Sequence, residues 1–238
     1  MILLRSTLFN IWFFALSTVM SIVGALALPF FPHSTLGIAQ FWSRLIVGGL
    51  RVTCGIRVQV RGLELLPKDG PVLIASRHQS AFDTIVWMTL IPRGAYVLKR
   101  ELLRIPVLGK LFPRAGQIPV HREGGAAALR ALLRETDIAV RTDRQIIIFP
   151  EGSRGDPGHM LPLQPGIAAM SARSGLPVFP VVTDSGLRWG RRAFRKNPGV
   201  IHITVLPPLA PPGPEPGARL RLMRELTAVL AQSPDGCG

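Results

Sequence analysis

The chain has 238 residues, 28 Lys and Arg against 14 Asp and Glu, a formal charge of +14, and 47% hydrophobic residues. That length fits one sizeable domain with an appendage. Such a charge with a positive mean hydropathy of +0.32 argues against a nucleic-acid binder, which would be less apolar. It favours a protein resting on an anionic membrane surface, where each nearby Lys or Arg contributes about 1 kcal/mol.

From Ser6 to Phe31 the chain carries no charge, and this exceeds the ~20 residues that cross a bilayer as a helix. Arg5 precedes the run, and Ala25-Leu26-Ala27 has the small-x-small form of a signal-peptidase site. The stretch is nevertheless longer than the ~7–15 residue apolar region of a signal peptide, so an uncleaved membrane segment is expected. Pro29 and Pro32 end it. A second apolar segment runs from Thr35 to about Val52, with Arg44 and Arg51 on one helical face. It reads as an interfacial helix. The pattern leaves open whether the first segment spans or pairs with the second as a hairpin in one leaflet. The cysteines, Cys54 and Cys237, offer neither metal spacing nor a disulfide framework, and point to a reduced, cytoplasm-facing compartment.

Past Gly55, short β-rich runs alternate with helical segments. Strands are expected at Arg57–Arg61, Pro71–Ala75, Ala95–Leu98, Gln117–Val120, Gln145–Phe149, Val178–Val182 and Val200–Val205. Helices are expected at Ser80–Ile91, Gly124–Arg141, Gly166–Ser174 and about Ala218–Ala231, with a proline-rich connector at Pro207–Pro216. This alternation predicts an α/β fold, a mixed sheet covered by helices on both faces, with an N-terminal membrane helix or two-helix hairpin. Residues 1–55 would form the anchor and 56–238 the domain.

Two blocks carry chemistry. In His78-Gln79-Ser80-Ala81-Phe82-Asp83 a base follows a buried strand, and a carboxylate lies in the first turn of the next helix. A neutral imidazole can accept a hydroxyl proton while a carboxylate on its other nitrogen fixes the tautomer. Ser80 and Asp83 also match a capping box, and both roles can coexist. In Phe149-Pro150-Glu151-Gly152-Ser153-Arg154-Gly155 a strand leaves into a glycine-punctuated turn. Gly152 lets backbone amides approach an anion, and Arg154 offers a fork to a phosphate. Glu151 is the odd member beside a phosphate, and is read as orienting Arg154 or bracing the turn. Between the blocks, Arg93, Lys99, Arg100, Arg104, Lys110 and Arg114 face a single acid, Glu101, a basic wall suited to a phosphomonoester.

These blocks resemble the glycerophospholipid acyltransferase family, in particular its 1-acylglycerol-3-phosphate acyltransferases, which carry His-x-x-x-x-Asp and Phe-Pro-Glu-Gly-(Ser/Thr)-Arg in this order. The family's Lys-x-Glu-Leu element is matched by Lys99-Arg100-Glu101-Leu102, and its Gly-x-x-x-x-x-Arg element by Gly116 to Arg122. Its apolar strand with a proline is matched by Leu176–Val182, with Pro180 at the family position. The resemblance covers roughly residues 70–185. It implies His78 and Asp83 as catalytic residues, and Arg122, Glu151, Gly152, Ser153, Arg154, Lys99 and Pro180 as substrate-binding residues, with no metal. It implies a fatty acyl group moving from acyl-CoA or acyl-carrier protein, as co-substrate, to the hydroxyl of a lysophospholipid. It also implies a protein bound to membrane lipids at a bacterial inner membrane, its site facing the cytoplasm. Other acceptors, lyso-ornithine lipid or glycerol phosphate, remain open, as does a non-catalytic protein binding anionic lipid or RNA. Two positions depart from the family: Arg77 stands where Asn often precedes the histidine, and His121 where Asp often precedes the arginine. The segment Arg188-Trp189-Gly190-Arg191-Arg192-Ala193-Phe194-Arg195-Lys196 interleaves cations with aromatics and is expected to lie at the membrane interface rather than on nucleic acid.

Overall fold

The computed structural model describes residues 1–121 and 125–233. Helix α1 (Ile2–Ala27) and helix α2 (Thr35–Gly49), which runs into a π-helical turn at Leu50–Cys54, precede strand β1 (Ile56–Arg61). Then follow β2 (Val72–Ser76), α3 (Asp83–Leu90), β3 (Gly94–Lys99), α4 (Leu108–Arg114), β4 (Ile118–Val120), α5 (Gly125–Arg141) and β5 (Gln145–Ile148). The chain continues through α6 (Gly166–Ser174), β6 (Val178–Thr183), α7 (Ser185–Arg188), β7 (Gly199–Val205) and α8 (Ala218–Leu230). Among the described residues the strands form one sheet in the order β1-β7-β6-β2-β5-β3-β4. Every pairing is parallel except β6 with β7. The expected mixed α/β sheet is therefore present.

The central strands are buried on both faces, so their apolar residues serve two cores. Ile74, Ile147, Phe179 and Val181 point to the side of α2 and α3, packing with Phe82, Trp87 and Ile46. Leu73, Ala75, Ile146, Val178 and Val182 point to the other side, packing with Leu132, Ile167, Met170 and Leu226 from α5, α6 and α8. Period-two alternation thus becomes two helix layers, each fully buried Leu or Ile contributing about 1.5–3 kcal/mol.

The N-terminal helices share the first of these cores: Phe9, Ile46, Leu50 and Cys54 belong to it. Helices α1 and α2 form a hairpin in which Trp42 Nε1 donates to Ser17 Oγ at 3.1 Å. A Cβ on Gly49 would stand 2.7 Å from Trp12 Nε1, so only glycine allows this approach. Helix α1 is long and apolar enough to cross a membrane, yet it touches the rest of the chain along most of its length. Arg5 Nε donates to Thr53 O at 2.7 Å, Ser6 Oγ accepts from Lys196 N at 2.9 Å, and Gly24 abuts Leu111 of α4. Its outward face, with Leu4, Leu8, Ile11, Phe14, Val19 and Leu26, remains exposed.

The 188–196 segment departs from expectation. Trp189 is buried, edge-on to Phe9 and Phe13 at 5.4 and 5.9 Å between centroids. Lys196 is buried too, its Nζ 5.0 Å from the Trp189 centroid and bonded to Asn10 Oδ1 and Phe194 O. Burial holds its ammonium below the usual lysine range. Of the two aromatics in the segment, only Phe194 faces outward. The segment is a dock for α1 because an apolar helix offers its rings a partner nearer than lipid.

Two smaller differences have local causes. Pro106 and Gly109 concealed the short helix α4, which starts after Val107 at φ 67°. Strand β6, which carries Pro180, lies inside the sheet between β7 and β2. The proline's missing N–H is tolerated because the β6–β7 register slips by one residue there, from Val181↔Val205 to Val178↔Leu209, while Pro180 O still accepts from Leu206 N at 2.9 Å.

Candidate active site

Strands β2, β5, β3 and β4 are parallel, so their C-terminal ends share one edge of the sheet, where α/β proteins gather binding groups. At the end of β2, Arg77 N donates to Val181 O at 2.9 Å, and the chain turns through His78 into α3. One carboxylate oxygen organises this turn. Asp83 Oδ2 accepts from Gln79 N at 2.7 Å and Ser80 N at 2.8 Å, and lies 3.1 Å from His78 Nδ1. Ser80 Oγ accepts from Phe82 N at 3.1 Å. Capping and imidazole orientation are therefore the work of the same residues. Because these side-chain bonds stand in for the first helical turn, regular helix begins at Asp83 and not at Ser80.

With Oδ2 as acceptor, Nδ1 carries the imidazole proton and Nε2 keeps a lone pair. The ring lies flat on Phe149, centroids 4.2 Å apart and planes 19° apart, so its plane is fixed as well as its tautomer. The His78 side chain keeps 12% exposure against 3% for Asp83, which makes the histidine the member able to reach a reactant.

The second block is the mount for the first. Glu151 folds back under β2, buried, and its Oε1 accepts from His78 N and from Arg77 Nε, both at 3.4 Å. Burial pushes its carboxyl above the usual range, opposed by the Arg77 guanidinium and the His78 amide. Gly155 N donates to His78 O at 2.8 Å. Both backbone groups of His78 are thus held by the Glu151–Gly155 turn. A Cβ on Gly155 would stand 2.9 Å from Glu151 Oε2 and 3.2 Å from His159 O, which explains the glycine. Gly152, at φ 70°, makes the tight turn, its N–H bonded to Phe149 O at 3.0 Å.

Glu151 was expected to orient Arg154 or brace the turn. It braces, and its partner is Arg77. The Arg77 guanidinium is buried between Glu151 and His159 O, the latter at 2.8 Å, and so is not placed for a phosphate. No spacing rule signalled this pair, because its members come from different strand ends. Ser153 is exposed and Arg154 half-buried. Burial lowers the Arg154 pKa, and the nearby Asp83 carboxylate raises it in return, which puts the cation within electrostatic reach of the histidine–aspartate pair.

The remaining expected residues are distributed along the same edge or away from it. Lys99 ends β3, exposed, two strands from β2, about 10 Å by strand spacing. Beyond it a cleft of about 260 Å³ is lined by Arg100, Glu101, Leu103, Arg104 and His121. Arg122 lies outside the described residues, as does Cys237. Pro180 is buried within β6, in register with Ala75. The structure therefore brings together His78, Asp83, Glu151, Gly152, Ser153 and Arg154.

The family model described as Acyltransferase matches residues 57–184 of this chain. The 1-acyl-sn-glycerol-3-phosphate acyltransferase of Pseudomonas aeruginosa is 32% identical over 196 residues, covering 82% of this chain and 76% of that protein. The enzyme of the same name from Limnanthes alba is 30% identical over 190 residues, covering 79% of this chain and 66% of that protein. The crystal structure of the 1-acyl-sn-glycerophosphate (LPA) acyltransferase from Thermotoga maritima superposes with a TM-score of 0.78 at 21% identity, over 99% of this chain and 97% of that one.

Proposed function

This chain belongs to the acyltransferase family, and we propose that it is a 1-acylglycerol-3-phosphate O-acyltransferase, moving a fatty acyl group from a thioester to the free hydroxyl of lysophosphatidic acid to give phosphatidic acid. The observation that carries this reading is His78 set 3.1 Å from Asp83 with its whole backbone clamped to the turn that bears Arg154. Family membership supports acyl transfer, and the clamp supports His78 as its base, with Arg154 as the proposed phosphate ligand.

The proposed transfer is direct. Nε2 of His78 takes the acceptor's hydroxyl proton as that oxygen bonds to the thioester carbonyl carbon. Asp83 stabilises the imidazolium through Nδ1–H. The C–S bond then breaks, and the leaving thiolate recovers the proton from Nε2. No protein nucleophile or prosthetic group is needed, since the attacking hydroxyl belongs to the acceptor. Arg154 binds the acceptor phosphate, with Arg122 and Lys99 as further ligands by family resemblance. The thioester is acyl-CoA or acyl-carrier protein, whose acidity suits the basic stretch from Arg93 to Arg114.

Membrane placement enters the same reading. Contacts along α1 from Ser6 to Gly24 extend about 27 Å, nearly the ~30 Å hydrocarbon thickness. A helix flanked by its own domain over that length cannot be ringed by lipid, which supports α1 and α2 lying in one leaflet with the outward face of α1 in acyl chains. The site would then meet an acceptor that never leaves the membrane, on the cytoplasmic side where both donors occur.

The test is acyl transfer by the detergent-purified full chain to lysophosphatidic acid, lyso-ornithine lipid and glycerol 3-phosphate, with acyl-CoA and acyl-carrier protein each supplied. Transfer to lysophosphatidic acid is expected. Transfer only to another acceptor would correct the substrate, and transfer to none would favour a non-catalytic lipid- or RNA-binding protein. In the same assay Arg154→Gln should raise the KM for lysophosphatidic acid about tenfold, the cost of one charge-assisted bond, with kcat changed less. Gly155→Ala should instead lower kcat about a hundredfold, because shifting Glu151 moves His78 by a fraction of a bond length to an ångström. An unchanged kcat in Gly155→Ala would show that the clamp does not position the base.

A further inference from the structure

We propose that Arg191 is a second arm of the acceptor-phosphate site, reaching Arg154 from the β6–β7 connection and selecting a phosphomonoester over a phosphodiester headgroup. This rests on the acyl-transfer reading above.

Arg191 Nη1 donates to Arg154 O at 3.3 Å. The other side of that peptide unit, Gly155 N, donates to His78 O at 2.8 Å. One peptide therefore lies between the guanidinium of Arg191 and the backbone of the base. Among the described residues neither Arg154 nor Arg191 has a carboxylate within ion-pairing distance; the paired arginines are Arg77, Arg173 and Arg221. Burial lowers the Arg154 pKa, the Asp83 carboxylate raises it in part, and the Arg191 charge adds a smaller depression. Two arginines gathered at one turn, neither with a carboxylate at ion-pairing distance, are better served around a dianion than in the empty protein.

The loop holds Arg191 in advance of any ligand. Trp189 on one side is wedged between Phe9 and Phe13, and Lys196 on the other is buried against α1 through Ser6 and Asn10. Between them Arg192 adopts φ 55°, a left-handed conformation that costs a non-glycine residue energy and persists only when its surroundings impose it. The membrane helix thus braces the loop that presents Arg191. A phosphomonoester carries close to two charges and three free oxygens, enough for both forks. A phosphodiester has one charge and two free oxygens, and would leave one arginine without a partner.

The experiment measures lysophosphatidic acid binding to the inactive His78→Ala protein, then to His78→Ala combined with Arg191→Gln, Arg191→Lys or Arg192→Gln. Arg192 is the control, an exposed neighbour of equal charge with no bond to Arg154. Arg191→Gln is expected to weaken binding about tenfold, Arg191→Lys to recover part of it, and Arg192→Gln to leave it unchanged. Binding of lysophosphatidylglycerol, a diester, should not respond to Arg191→Gln. Equal losses in the Arg191 and Arg192 variants, or equal losses for both lipids, would overturn the assignment. A thermal midpoint taken on each variant separates lost folding from lost binding, and Arg191→Lys decides the case if Arg191→Gln does not fold. Because binding is read without turnover, this result stands apart from the reaction itself, which fails separately if His78→Ala keeps full activity.

Discussion

Replacing His78 by alanine should lower kcat for transfer to lysophosphatidic acid by about three orders of magnitude, the middle of the range for a positioned general base. The acceptor's KM should change little, because Arg154, the proposed phosphate ligand, sits on a different segment. The truncation removes the stacked ring on Phe149 but leaves the backbone bonds to Glu151 and Gly155 intact. Stability should therefore fall by about 2–3 kcal/mol, near the worth of one aromatic pair and the lost Nδ1–H bond to Asp83. Initial rates and a thermal melt on the same preparation decide between loss of chemistry and loss of fold. A folded variant with more than a tenth of wild-type kcat would remove His78 from the mechanism.

Asp83 should separate its two duties by substitution. In Asp83→Asn an oxygen can stay at the Oδ2 position and keep accepting from Gln79 N, Ser80 N and His78 Nδ1. What is lost is the negative charge facing the imidazolium, so kcat should fall about a hundredfold with the melt nearly unchanged. In Asp83→Ala two buried amides lose their acceptor, each costing about 1–3 kcal/mol, and the α3 start should loosen. The alanine variant is therefore expected to be inactive and destabilised by about 2–6 kcal/mol. Equal melts for the two variants would mean that the cap contributes nothing to stability.

The two chemical blocks were legible because each is local. A base and a carboxylate five residues apart, with serine at the cap position, carry their geometry in the spacing. The strands were legible for the same reason: Val72–Ala75 and Ile146–Ile148 are apolar runs too short for helices. What stayed hidden is tertiary. The Arg77–Glu151 pair joins two strand ends that only the β2–β5 pairing brings together, and nothing in either block names its partner. The aromatic–basic segment at 188–196 has the composition of an interfacial anchor, yet Trp189 and Lys196 are buried because α1 lies across them. Likewise an apolar helix of 26 residues reads as a free span until Ser6, Ser17 and Gly24 are seen to be occupied. Sequence periodicity reports which face is apolar, and not what covers it.

The measurement that most directly tests direct transfer from a His78-activated hydroxyl uses acyl-labelled thioester, followed with and without lysophosphatidic acid. The expected result is that thiol release requires the acceptor, that label appears only in phosphatidic acid, and that His78→Ala stops both together. Label retained on the protein, or thioester cleavage at the full rate without acceptor, would contradict it and require a nucleophile on the chain itself.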